Sequence, residues 1–138
     1  MEIFTKIEVF SCVFMTGVIW IIQLVHYPCF FYIERDRFKS FASFHQKNIS
    51  FIVLPVMLLE IASNSMITFF SLERRDLLGY VLSGLLYVIW GITFCISVPC
   101  HKKLLRGYHE KYLRILLTTN WIRTLLWSSR CLLLFFIS

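Results

Sequence analysis

Charge is what this sequence has least of. Only 16% of its 138 residues are Asp, Glu, Lys or Arg, against roughly 25% in soluble domains, so a water-facing globular fold is excluded. Glycine and proline are sparse, at 5 and 3 residues. That removes the turn punctuation of an all-β chain and the Gly-rich loops that cradle phosphates. The five cysteines show no CxxC or paired spacing, so they spell neither a zinc site nor a disulfide framework. Cys12, Cys95 and Cys131 sit in apolar runs and read as small packing residues, while Cys29 and Cys100 each follow a proline. No HExxH pair and no serine nucleophile elbow occurs.

What the chain does have is long apolar runs. Hydrophobic residues make up 58% of it and the mean hydropathy is +0.71. Four stretches, about 9–25, 49–70, 77–100 and 113–137, approach or exceed the roughly 20 residues that cross a bilayer core. The expected fold is all-α: an integral membrane four-helix bundle, one domain over residues 1–138. The first run has a thin charged flank and no small-x-small cleavage site, so it reads as a retained helix.

The formal charge of +6 does not point to nucleic acid, because the basic residues flank apolar runs instead of covering a soluble face. Arg35, Arg37, Lys39 and Lys47 fall in the first link, and Lys102, Lys103, Arg106, Lys111 and Arg114 in the third. Only Lys6, Arg74 and Arg75 fall on the other side. The positive-inside rule then places links one and three in the cytoplasm of a multi-pass plasma (inner) membrane protein, with both termini and the Glu73–Asp76 turn outside. The Asn48-Ile49-Ser50 sequon would lie on the side where it is not glycosylated.

Within the chain, FYIERDRFKSF alternates Phe31, Phe38 and Phe41 with charges, which suits an interfacial segment beside Phe30. Pro55 is expected to kink the second helix and Pro99 to bend or end the third. A twofold echo is visible: Trp20, His26, Pro28 and Cys29 against Trp90, Pro99, Cys100 and His101. It suggests two helical hairpins packed as parallel repeats.

Polar side chains inside a span are costly, so they face a partner or a cavity. Asn120, Arg123, Trp127 and Arg130 recur on one face of the last helix. The third helix has Ser83, Tyr87, Trp90, Phe94, Ser97 and His101 on one face, and the first has Thr16, Trp20, Gln23 and Tyr27 with His26 beside them. The second carries His45 with Asn48, then Glu60 with Asn64. By depth these form two levels. His26, His45, His101 and Arg123 make one near the cytoplasmic ends, with Gln23, Asn48, Trp90, Asn120 and Trp127 as substrate-contacting candidates. Glu60 and Arg130 make an interhelical ion pair at the other.

The runs QxVHYPxF, FHxxN, PxMLLE, VPCH and NWIRTxxWxxR together resemble a family of small uncharacterised bacterial four-helix membrane proteins. More distantly, the histidine near the end of helix one and the Asn120-x-x-Arg123 pattern resemble the anthrone-oxygenase-like membrane proteins. That second resemblance implies oxidation of a lipophilic aromatic substrate without a conventional cofactor.

Three expectations for function follow. The first is a membrane-embedded oxidoreductase, oxygenase-like, with His26, His45, His101 and Arg123 as catalytic residues around a small lipophilic or anionic ligand. Imidazoles suit haem or a transition metal, so the three histidines are also candidate ligands, although a cofactor-free site is equally compatible. The second is a small anion-preferring transporter or channel, which at this length needs a homo-oligomer to enclose a path. The third is a non-catalytic accessory subunit.

Overall fold

The computed structural model describes residues 1–71 and 76–137, and Glu73, Arg74 and Arg75 lie outside them. The chain is four helical rods with no strand among the described residues. We label them α1 (Glu2–Tyr32), α2 (Phe38–Phe70), α3 (Leu77–Leu104) and α4 (Glu110–Ile137). The first three are long and apolar enough to cross a membrane. The fourth is 28 residues long but less apolar, because it holds the buried Asn120, Arg123, Thr124 and Arg130.

The rods outrun their apolar stretches at the ends. α1 starts seven residues before the first run, so Glu8 is a buried helical residue. α2 continues through Pro55. Asp76 caps α3, its Oδ1 accepting the Gly79 N–H at 2.7 Å. Between α3 and α4 the link turns at Gly107, whose φ of 145° is closed to side-chain-bearing residues.

α1 and α3 are interrupted in the same way. A π-helical turn covers Ile22–His26 in α1 and Thr93–Ser97 in α3, each ending two residues before a proline. Proline lacks an N–H and crowds the carbonyl four residues back, and a wider turn absorbs both defects without breaking the rod. The matching turns before Pro28-Cys29 and Pro99-Cys100 give the twofold echo a structural counterpart. Under that match His26 corresponds to Ser97, so the histidines themselves are not repeat-related.

α1 packs against α2 and α4, and α3 packs chiefly on α4. α2 and α3 are the neighbours that touch least. The centre holds Cys12, Met15, Ile19, Leu82, Leu86, Ile89, Leu116 and Trp127, all fully buried. The outside is apolar too: Phe10, Phe51, Leu58, Val88, Leu125 and Phe135 are at least half exposed. In hydrocarbon this surface carries no penalty, and helix association relies on packing and hydrogen bonds. The protein is a helical membrane protein.

Candidate functional site

The histidine cluster gathers where α1, α2 and α3 approach the first link. His26 and His45 share a hydrogen bond between Nε2 of the first and Nδ1 of the second, and the tautomer decides which donates. The His101 ring centroid is 5.6 Å from that of His45. Its Nε2 is 3.1 Å from the Tyr27 hydroxyl. Aromatic rings close this end. Phe30 meets His45 edge-on at 5.1 Å, and Phe41 stacks on His26 at 6.2 Å. Phe38 and Tyr108 continue the cap, 5.2 Å apart, with the Arg35 guanidinium over the tyrosine. Within this link Phe30 and Phe38 are fully buried, while Tyr32 is exposed.

Arg123 enters from α4. Its Nη1 donates to Ser97 Oγ at 3.4 Å and to Asn120 Oδ1 at 3.3 Å. Asn120 in turn donates to Gln23 Oε1 at 2.8 Å, and Gln23 donates to the Leu117 carbonyl. The arginine is 5% exposed, and its partners are neutral. Among the described residues no carboxylate pairs with it.

Between α2 and α3 lies a cavity of about 310 Å³, at the small end of ligand pockets. His45, Gln46, Trp90, Ser97, His101 and Arg123 supply its polar wall, and Ile49, Val53 and Met57 its apolar one. Four of these residues have a buried polar atom with no hydrogen-bond partner in the protein: His45 Nε2, Gln46 Oε1, Trp90 Nε1 and Arg123 Nε. Buried polar atoms are nearly always paired, so four unpaired ones on residues that line a single cavity set this region apart.

The structure brings together His45, His101, Trp90 and Arg123 on the cavity wall. His26 stands behind His45, and Gln23 and Asn120 stand behind Arg123. Asn48 does not join them. It is exposed and donates to the Phe44 carbonyl of its own helix. The cavity-facing stripe of α2 runs instead through Gln46, Ile49, Val53 and Met57, and Gln46 escaped notice because its neighbour His45 drew the i, i+3 pairing. On α3, Trp90, Phe94, Ser97 and His101 of the expected face all line the cavity, while Tyr87 is not among the lining residues and is about half exposed. Trp127 does not line the cavity, although its ring lies 5.2 Å from the Arg123 guanidinium. Its Nε1 donates to Glu60 Oε2 at 3.0 Å in the second polar level.

As metal ligands the three histidines do not fit. His26 and His45 direct nitrogens at each other, and His101 Nε2 is taken up by Tyr27. Metal binding needs imidazole lone pairs converging on one point. Among the described residues no group of three or more His, Cys, Asp or Glu is arranged to hold an ion.

The second level is an ion cluster. Arg130 Nε donates to Glu60 Oε1 at 3.3 Å, and its Nη2 to Glu8 Oε1 at 3.1 Å. Its Nη1 donates to the Leu82 carbonyl. Asn64 donates to the same Glu8 oxygen at 2.8 Å. All three charged side chains are fully buried. Glu8 lies just outside the first apolar run, which starts at Val9. A legible signal existed: Glu8 is one turn from Cys12 on the buried stripe that continues to Met15, Ile19 and Gln23.

Comparison with family models, curated proteins and solved structures finds no match.

Proposed function

We propose that this membrane protein binds a small lipophilic molecule in the α2/α3 cavity and performs acid–base chemistry on it, as an oxygenase-like oxidoreductase would. The observation that carries the reading is a set of unpartnered buried atoms on residues that line one apolar-walled space: two donors, Arg123 Nε and Trp90 Nε1, and the imidazole nitrogen His45 Nε2. A neutral His45 protonated on Nδ1 donates to His26, which leaves Nε2 as a base. It takes a proton from an acidic C–H or O–H of the ligand, and Arg123 and Trp90 hold the oxyanion that forms. Such an electron-rich enolate or phenolate is what dioxygen oxidises in a cofactor-free oxygenation. His26 and Tyr27 keep their imidazole partners oriented.

A transport path is less well supported. Trp127, fully buried, lies between Arg123, whose guanidinium is 5.2 Å from its ring, and Glu60, and fills the space that would join the two polar levels. The charge pattern supports a cavity at the cytoplasmic side of the plasma membrane, with both termini outside.

Organic extraction of the purified protein followed by mass spectrometry tests the reading. Wild type should retain a lipophile bearing an acceptor oxygen, and Arg123→Met should lose at least about tenfold of it. Equal amounts in both, or none in either, would favour an accessory subunit. Fusion reporters at Lys47 and Lys103 should report cytoplasm, and the opposite labelling would move the cavity to the other face.

A further inference from the structure

We infer that the cavity is loaded sideways from the bilayer, through the gap between α2 and α3, by an amphiphile whose acidic oxygen head is held as the oxyanion and whose tail stays in the gap. This rests on the ligand-binding reading above and adds to it the route and the chemical class.

The route follows from the walls. α2 leans on α1 and α3 on α4, and their own mutual contact is the slightest in the ring. Ser50, Leu54 and Phe94 line the cavity and are exposed on the outer surface, Leu54 by 48% and Phe94 by 52%. One space thus reaches both the buried polar wall and the exterior. The same two helices also expose Phe51 and Leu58 on α2 and Tyr87 and Val88 on α3, all about half exposed or more. An apolar rim of this kind faces hydrocarbon. From Gln46 to Met57 the cavity spans about 16 Å of helix, on the order of half the hydrocarbon core. The link end is shut by Phe30 and Phe38, both fully buried.

The chemical class follows from the polar wall. Arg123 Nε and Trp90 Nε1 can only donate, so the group they meet is an acceptor. Arg123 keeps its charge, and its partners Ser97 and Asn120 are neutral. An oxyanion is the acceptor that a buried guanidinium with neutral partners binds most strongly. The charge that would be costly in hydrocarbon is then neutralised in place, while the tail never leaves it.

The probe is 9,10-dibromostearate added to phosphatidylcholine vesicles containing the full-length protein, read by tryptophan quenching, because Trp90 lines the cavity. Expected is a saturable component above the linear bilayer quenching. It should be absent with the methyl ester and in Trp90→Phe, and weakened at least tenfold in Arg123→Met. Ser50→Phe, and independently Leu54→Phe, should slow its onset at least tenfold. Acid and ester saturating alike would overturn the oxyanion head. Wild-type onset in both blocked variants would overturn the lateral route and leave the cavity reading standing. No saturable quenching from a protein that retains a lipophile on extraction would overturn the amphiphile assignment alone. No quenching together with no retained lipophile would remove the cavity reading as well.

Discussion

Two arginines seven residues apart on α4 meet opposite surroundings. Arg130 donates from all three of its nitrogens, to Glu8, Glu60 and the Leu82 carbonyl. Arg123 reaches only neutral oxygens, and its Nε has no partner beside a cavity. Two tryptophans repeat the contrast: Trp127 Nε1 is bound to Glu60, and Trp90 Nε1 is unbound in the cavity wall. The lesson is that an intramembrane charge is not by itself a functional site. Where protein groups satisfy it, it holds helices together. Where they do not and there is space beside it, it is available to a ligand.

The largest test of this contrast is Arg130→Met, which leaves two buried carboxylates without their shared cation. Thermal denaturation in detergent should show a loss on the order of 3–5 kcal/mol. Glu60→Gln should cost less, since Arg130 keeps Glu8. Adding Glu60→Gln and Glu8→Gln to Arg130→Met should recover much of the loss. Strict additivity of the three changes would show that the groups are not a unit.

Next is Trp127→Phe, which strips the hydrogen bond from a buried carboxylate oxygen and should cost about 1–3 kcal/mol. Trp90→Phe removes a donor that has no protein partner, and its melting point should stay close to that of wild type. If the two substitutions cost the same, the distinction between bound and unbound indoles fails.

Smaller again is Arg123→Met. It loses hydrogen bonds to Ser97 and Asn120 but also relieves a buried charge with no carboxylate beside it. Stability should change by no more than about 1 kcal/mol in either direction, while the retained lipophile disappears. A loss as large as that of Arg130→Met would make both arginines structural.

The smallest effect belongs to α2. Asn48→Ala should leave ligand retention unchanged and shift stability by less than about 0.5 kcal/mol, as expected of an exposed side chain. Gln46→Ala, two residues earlier, should reduce retention with an equally small stability change. Reversed results would mean that α2 is rotated from the orientation described here.

The four rods and the inward turn of Arg123, Arg130, Glu60 and the histidines were legible in the sequence, because the bilayer imposes one strong rule. Helices must satisfy their own backbone, and polar side chains must leave the lipid, so length and helical period suffice to find both. That His26 and His45 would meet was legible only as shared depth. Their mutual hydrogen bond, which takes up the nitrogens a metal would need, depends on side-chain direction that no spacing encodes. Glu8 was hidden because hydropathy marks where a run becomes apolar, and a helix can begin earlier if a partner across the bundle neutralises its charge. Asn48 and Gln46 differ by only two places, and which of them faces the cavity is set by the rotation of α2 against α1. Hydropathy and helical period specify the helices, their polar stripes and the two levels. Which level is closed and which is open is a property of the packed bundle, because it depends on whether a second helix brings a carboxylate to each arginine. Glu60 and Glu8 reach Arg130, and the slack contact between α2 and α3 leaves a cavity beside Arg123.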